Sequence, residues 1–226
     1  MIAVHNLHMQ LNAGHHTVTI LSGISFEIPN KQVTAIIGPS GSGKSTLLGL
    51  LAGLDRPTAG TIQLNGQEIT HWSEHDMAQF RRQSIGYVFQ SFHLIPTLTA
   101  LENVTLPLDL SQHSSAKNRA QTLLDMVGLQ DRLHHYPVQL SGGEQQRVAV
   151  ARAFACSPPI LFADEPTGNL DSNNGEHIIQ LLLQLNREHD STLVLVTHDT
   201  ALANQADRVL TLQDGHLVSD RLLPSD

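Results

Sequence analysis

One stretch constrains this chain more than any other. A β-rich apolar run, Val33 to Ile37, passes directly into Gly38-Pro39-Ser40-Gly41-Ser42-Gly43-Lys44-Ser45. Leu47, Leu48, Leu50 and Leu51 then follow at helical spacing, and Gly53 is a good helix stop. The run fits G-x-x-x-x-G-K-[ST] with a strand before it and a helix after it. Glycines let backbone N–H groups curl around a polyphosphate, and the helix N-terminus adds a favourable dipole. Lys44 can reach β- and γ-phosphates, and the Ser45 hydroxyl can ligate Mg²⁺. A glycine turn beside a surface lysine is the bland alternative, and the flanking strand and helix argue against it.

The rest of the chain is consistent with such a core. Val18–Leu21 and Ile24–Ile28 read as short strands separated by Gly23, and Thr61–Leu64 as a strand before the turn Asn65-Gly66. Ile85–Phe89 reads as another strand. The middle third changes character: Asn118–Val127 and a segment from Ser141 through Phe154 read as helices. Strand–helix alternation then returns. Ile160–Ala163 and Leu193–Val196 are strands, Asn174–Glu188 is a helix, and 209–218 is a hairpin turning at Asp214-Gly215. The pattern predicts an α/β fold with a helical lobe inserted in it.

Composition narrows the function classes. At 226 residues the chain suits one large domain, or one domain with a sub-lobe. Its net charge of -8 argues against a bulk nucleic-acid binder. The richest apolar run, Val148–Ala163, is interrupted by Arg152, Ser157 and two prolines, so no membrane span is expected. Any membrane role then needs a second polypeptide to supply the span. The single cysteine, Cys156, reads as a small packed side chain rather than a nucleophile.

Two further motifs carry chemistry. Ile160-Leu161-Phe162-Ala163-Asp164-Glu165 is an apolar strand ending in two carboxylates. Asp164 is suited to hold Mg²⁺, directly or through water, and Glu165 to polarise an attacking water. Leu140-Ser141-Gly142-Gly143-Glu144-Gln145-Gln146 contains an S-x-x-E capping box, which by itself marks a helix start. Consecutive glycines are poor helix formers, and N–H groups at a helix N-terminus form an anion site. The capping and phosphate-binding readings are compatible.

With these motifs in order, the chain resembles a nucleotide-binding subunit of the ATP-binding cassette (ABC) family over nearly its whole length. Gln90 matches the family's Q-loop glutamine, Asn169-Leu170-Asp171 its D-loop and His198 its switch histidine. The resemblance implies a P-loop NTPase (RecA-like) α/β core with an N-terminal antiparallel β subdomain. It also implies a helical subdomain inserted at roughly 91–155 of a single cassette spanning 1–226. ATP and Mg²⁺ are the implied cofactors. Gly38 to Ser45 with Thr46, and Asp171, would line the nucleotide. Ser45, Gln90 and Asp164 would hold Mg²⁺. Lys44, Gln90, Glu165 and His198 would act in catalysis, with Glu165 as general base. A head-to-tail homodimer is implied, in which Ser141, Gly142 and Gly143 cover the γ-phosphate bound to the other copy.

The implied partner is a separate transmembrane permease, and the implied location is peripheral, on the cytoplasmic side of the inner membrane. Residues 89–104 and 162–171 resemble more narrowly the group containing macrolide-exporter and lipoprotein-releasing ATPases. There the partner has few spans and a large periplasmic domain, which suggests export or extraction of a lipophilic substrate or lipoprotein. The rival is a regulatory ATPase that signals to a periplasmic partner without transport. DNA-repair and translation cassettes are disfavoured, since their usual coiled coils, tandem cassettes and zinc modules have no counterpart here. The family's adenine-stacking aromatic has no match either: Leu11 stands about where it belongs, and His15 or His16 could substitute.

Fourteen histidines invite a metal hypothesis. His71 and His75 could lie one helical turn apart, but Trp-Ser-Glu between them is not a zinc-protease pattern. Solvated polar surface is the expected reading for them. Arg81 and Arg82, and the run Lys117-Asn118-Arg119, read as surface charge.

Overall fold

A computed structural model describes residues 1–14 and 16–224. In chain order the elements are β1 (Ile2–Ala13), β2 (His16–Ile28), β3 (Val33–Ile37), α1 (Lys44–Leu51), β4 (Ala59–Leu64), β5 (Gln67–Glu68), α2 (Glu74–Ser84) and β6 (Ile85–Val88). These are followed by α3 (Ala100–Leu110), α4 (Ala116–Met126), α5 (Gly142–Ala153), β7 (Ile160–Asp164), α6 (Ser172–His189), β8 (Thr192–Val196), α7 (Thr200–Ala203), β9 (Arg208–Gln213) and β10 (His216–Leu222). The fold is α/β, a P-loop NTPase core with an antiparallel β subdomain and an inserted helical subdomain. The chain divides into two compact units, Met1–Arg81 with Thr192–Asp226, and Arg82–Ser191.

The first unit holds two sheets. In one, β2, β1, β4 and β5 run antiparallel in that order. Its inward side chains Ile2, Val4, Leu7, Leu21, Ile24, Ile28, Ile62 and Leu64 are almost wholly buried. β2 does not stop at Gly23 as the sequence suggests. Between the pairs Met9–Leu21 and Leu7–Ile24 it advances three residues while β1 advances two. Gly23, at φ 66°, therefore sits in a bulge that the strand passes through. In the other sheet β3 lies between β8 and β9, parallel to both, and β10 returns antiparallel to β9. Helix α1 packs Leu47, Leu48, Leu50 and Leu51 into this core with none of them exposed.

Arg81 corrects the sequence reading. Its guanidinium donates to the Gly53 carbonyl, just beyond the end of α1, and pairs with Glu74. It ties α2 to the end of the phosphate-loop helix instead of lying in solvent. Helix α2 escapes apolar-periodicity reasoning because Met77 is its one buried residue. His71 lies in the turn before α2 and His75 inside it, both exposed, so they do not share a helix.

The second unit pairs β6 with β7 in parallel and gathers α3, α4, α5 and α6 around Val104, Leu108, Leu123, Leu124, Val148, Phe154, Ile178 and Leu182. Helix α3 contains Pro107 at its eighth position, where the missing N–H costs a helical bond. A capping box at its start, Thr99 with Glu102, compensates. Asn103, 1% exposed, fixes the approach to α3 by accepting from Ile95 N–H and donating to the carbonyls of Ile95, Leu98 and Thr99. Two arginines read as surface charge bind here. Arg82 donates to the Leu110 carbonyl, and Arg119 to Ser157 Oγ at 3.1 Å with His189 Nε2 at 3.4 Å. The Cys156 thiol sits 3.5 Å from the Pro107 carbonyl.

Candidate nucleotide site

The phosphate loop lies wholly in the first unit. At Gly38 a Cβ would fall 2.1 Å from the Leu212 carbonyl oxygen, a backbone atom that cannot swing away. At Gly43, φ 98°, it would meet Leu21 Cδ2 at 2.7 Å and the Ile20 carbonyl at 3.0 Å. β2 and β9 thus press on the loop from its own unit, and glycine is required at both points. Pro39 and Ser40 are exposed, as are Gly41 and Ser45, while Thr46 is half-buried in the first turn of α1. Lys44 is only 6% exposed. Its Nζ donates to the carbonyls of Gly38 at 3.0 Å and Pro39 at 2.9 Å, so the ammonium is held over the loop. Ser42 Oγ is buried without a hydrogen-bond partner. An unmet buried hydroxyl costs about 1–3 kcal/mol.

His198 is in the same unit, exposed at the exit of β8. Its neighbours fix its backbone. Thr197, 2% exposed, donates its N–H to the Ile36 carbonyl on β3. Asp199 caps α7 by accepting from Ala201 and Leu202 N–H. Leu11 is 49% exposed and pairs across the β1–β2 hairpin with Val18, 46% exposed. His15 and the His16 side chain lie outside what the structure describes.

The second unit carries the remaining candidates. Asp164 closes β7 and Glu165 follows it, both half-buried. Glu165 has φ 43°, a left-handed conformation uncommon for a side chain of this size. A tight turn holds it, with Gly168 N–H donating to the Glu165 carbonyl at 3.0 Å and Leu170 N–H to Thr167 at 3.0 Å. Gln90 is exposed after β6, and its side chain lies against Gly168, where a Cβ would stand 2.6 Å from Nε2. Asn169 Nδ2 donates to the Gln90 carbonyl at 2.9 Å, so the D-loop and Q-loop segments are bonded directly. Asp171 caps α6, accepting from Asn174 N–H at 3.1 Å.

The glycine pair opens α5 as the capping box requires. Ser141 Oγ accepts from Glu144 N–H at 3.3 Å, and the Glu144 carboxylate accepts from Ser141 N–H at 2.8 Å. Arg132 Nε donates to the other Glu144 oxygen at 3.1 Å. The Ser141 backbone N–H, then its hydroxyl and Arg132, hold the Glu144 carboxyl below its ordinary range despite partial burial. Gly142 and Gly143 form the first turn, and a Cβ on Gly143 would stand 3.1 Å from Asn174 Oδ1.

Two residues of α5 that sequence reasoning left aside hold this region together. Arg152 donates to the carbonyls of His93 at 2.6 Å and Phe92 at 2.8 Å. Phe92 and His93 are consecutive left-handed residues, φ 58° and 48°, just after Gln90. Burial pushes the Arg152 pKa down from its ordinary value. Gln146 reaches the Pro166 and Phe89 carbonyls. No local signal marks either side chain, because their partners lie tens of residues away. Among the described residues no three His, Cys, Asp or Glu side chains cluster as metal ligands.

A glycine loop caging a lysine, an apolar strand ending in Asp-Glu, and a capped Ser-Gly-Gly helix start together define a cassette ATPase. The chain belongs to the ABC transporter family, whose model matches residues 21–168, and it is an ABC-type ATPase. It is 52% identical to the ABC transporter ATP-binding protein YbbA of Escherichia coli K12 over 219 residues, 96% of each chain. It is 49% identical to the lipoprotein-releasing system ATP-binding protein LolD of Idiomarina loihiensis over 206 residues, 90% of each. To the macrolide export ATP-binding/permease protein MacB of Bdellovibrio bacteriovorus it is 46% identical, covering 99% of this chain and 34% of that protein. Among solved structures it is similar to the cassette MJ0796 in a dimeric post-hydrolysis state bound to ADP and Pi, with TM-score 0.93, 40% identity and full coverage of both chains.

Proposed function

We propose that this chain is the ATP-hydrolysing subunit of a membrane ABC complex. It would act as a head-to-tail homodimer on a separate permease that exports or extracts a lipophilic substrate or lipoprotein. The observation that carries the ATPase half is the Lys44 ammonium, held by the Gly38 and Pro39 carbonyls of the glycine loop. Resemblance to LolD and MacB carries the cargo class. Among the described residues no helix is long and apolar enough to cross a membrane, which suits a subunit docked peripherally at the inner face. The same reading takes 1–226 as one cassette with its helical subdomain over roughly 91–155.

Residue roles follow from chemistry. The phosphate-loop N–H groups and the Lys44 ammonium bind the triphosphate, and a phosphate oxygen can accept the unmet Ser42 hydroxyl proton. Ser45, Gln90 and Asp164 are hard oxygen donors, none of them fully buried, and they suit Mg²⁺. When bound, the ion would neutralise part of the triphosphate charge. Glu165 accepts a proton from the attacking water, and His198 orients water and γ-phosphate. Gly142 and Gly143 present N–H groups, and Ser141 its hydroxyl, to the γ-phosphate bound by the second copy, and Asp171, at the end of the D-loop segment Asn169-Leu170-Asp171, lines the nucleotide. Leu11 and Val18 offer the base apolar surface without an aromatic face, so discrimination between ATP and GTP is expected to be loose. Ser141→Arg tests the shared site: nucleotide should still bind the monomer, and steady-state hydrolysis should be lost. Normal hydrolysis by this variant would show that each copy works alone.

A further inference from the structure

Gln146 is wholly buried in α5, and its polar end leaves its own helix. Nε2 donates to the Pro166 carbonyl at 2.7 Å and lies 3.5 Å from the Phe89 carbonyl. Both partners are carbonyl oxygens and only accept, so the NH₂ end of the amide must face them. Phe89 immediately precedes Gln90, and Pro166 immediately follows Glu165. One side chain thus grips the backbone beside two of the proposed active-site residues.

The grip on Pro166 falls where the chain most needs it. Glu165 is in the left-handed region, and Pro166 has no N–H with which to anchor itself. Its carbonyl is the one backbone group it can offer, and Gln146 takes it. The Gly168-to-Glu165 bond closes the same turn from the other side. Gln146 Oε1 is buried with no partner, so the amide is valuable here for its donors alone. A core filler of this size would be better apolar.

We infer that Gln146 is a positioning residue for ATP hydrolysis, holding Glu165 in its left-handed conformation through the Pro166 carbonyl without contacting nucleotide. The inference rests on the reading of Glu165 as general base.

The test uses the full chain. Gln146→Met keeps the side-chain length and removes both donors. Turnover is expected to fall about 10- to 100-fold, the scale of a small misplacement at a reacting centre, while the KM for ATP changes by less than about threefold. In a Glu165→Gln background the same substitution should cost less than about twofold more, because the group it positions is already disabled. Wild-type turnover in Gln146→Met overturns the inference, and so does a loss that multiplies in full onto Glu165→Gln. Wild-type turnover in Glu165→Gln alone overturns the general-base reading, and the inference with it. Should Gln146→Met fail to fold, Gln146→Glu serves instead. Its carboxylate repels the two carbonyls, while its protonated form donates one bond back. Its turnover relative to wild type should rise as pH falls from about 8 to about 6, since burial raises a carboxyl pKa. A ratio independent of pH overturns the inference.

Discussion

The phosphate loop at Gly38–Ser45 and the segment that follows Gln90 are both irregular backbone with functional residues, but they are held by different means. The loop is shaped by glycines that no Cβ can replace and by its own carbonyls around Lys44. The later segment has two left-handed residues that are not glycine, Phe92 and His93, and depends on the distant Arg152 guanidinium. Nearby, Gln146 and Asn169 bond to the carbonyls of Pro166 and Gln90. A loop built from backbone alone has one shape to offer. A loop hung on long side chains can shift when those bonds shift, which suits a segment proposed to report the nucleotide state to a permease.

Substitutions can break this contrast. Gly38→Ala should act most strongly, because its Cβ meets a carbonyl oxygen at 2.1 Å. Overpacking costs about 1–3 kcal/mol and occasionally more, and nucleotide binding should disappear with the loop shape in an equilibrium binding assay. Arg152→Met leaves two carbonyls without their charged donor and should cost about 2–3 kcal/mol. Amide exchange should then accelerate over 91–96 while the phosphate loop keeps its protection. Ser141→Ala removes the α5 cap and should lower unfolding free energy by about 1 kcal/mol in urea.

The smallest effect is one of pH. Glu144 has a folded-state pKa below its ordinary value, chiefly through the Ser141 N–H. It therefore contributes stability above the ordinary carboxylate range and loses that contribution as pH falls through its lowered folded pKa. The stability difference between wild type and Glu144→Gln should shrink as pH is lowered past that point, and a constant difference would count against the capping bond.

Legibility in the sequence divides along the same line. Strand, loop and helix over 33–51 were readable because each signal is local: a β-rich run, glycines, helical spacing and Gly53. The Ser141–Glu144 capping box was readable for the same reason, since its partners stand three residues apart. Arg81, Arg119 and Arg152 were not readable, because an arginine on a helix looks the same whether it faces solvent or a distant carbonyl. Helix α3 was hidden by Pro107, and the continuity of β2 by a glycine that bulges the strand without ending it. The candidate residues were all visible by motif, but what holds Gln90 and Glu165 in place was not.

The central claim is that half of each active site belongs to a second copy of the chain. Glu165→Gln should bind ATP and lose hydrolysis about 10²- to 10⁴-fold, the usual contribution of general-base assistance. It should then elute from size-exclusion chromatography as a dimer with ATP and as a monomer without it. Adding Ser141→Arg to the same chain should abolish the dimer while ATP stays bound. A Glu165→Gln chain that stays monomeric at full ATP occupancy, or an ATP-dependent dimer that survives Ser141→Arg, would contradict the account.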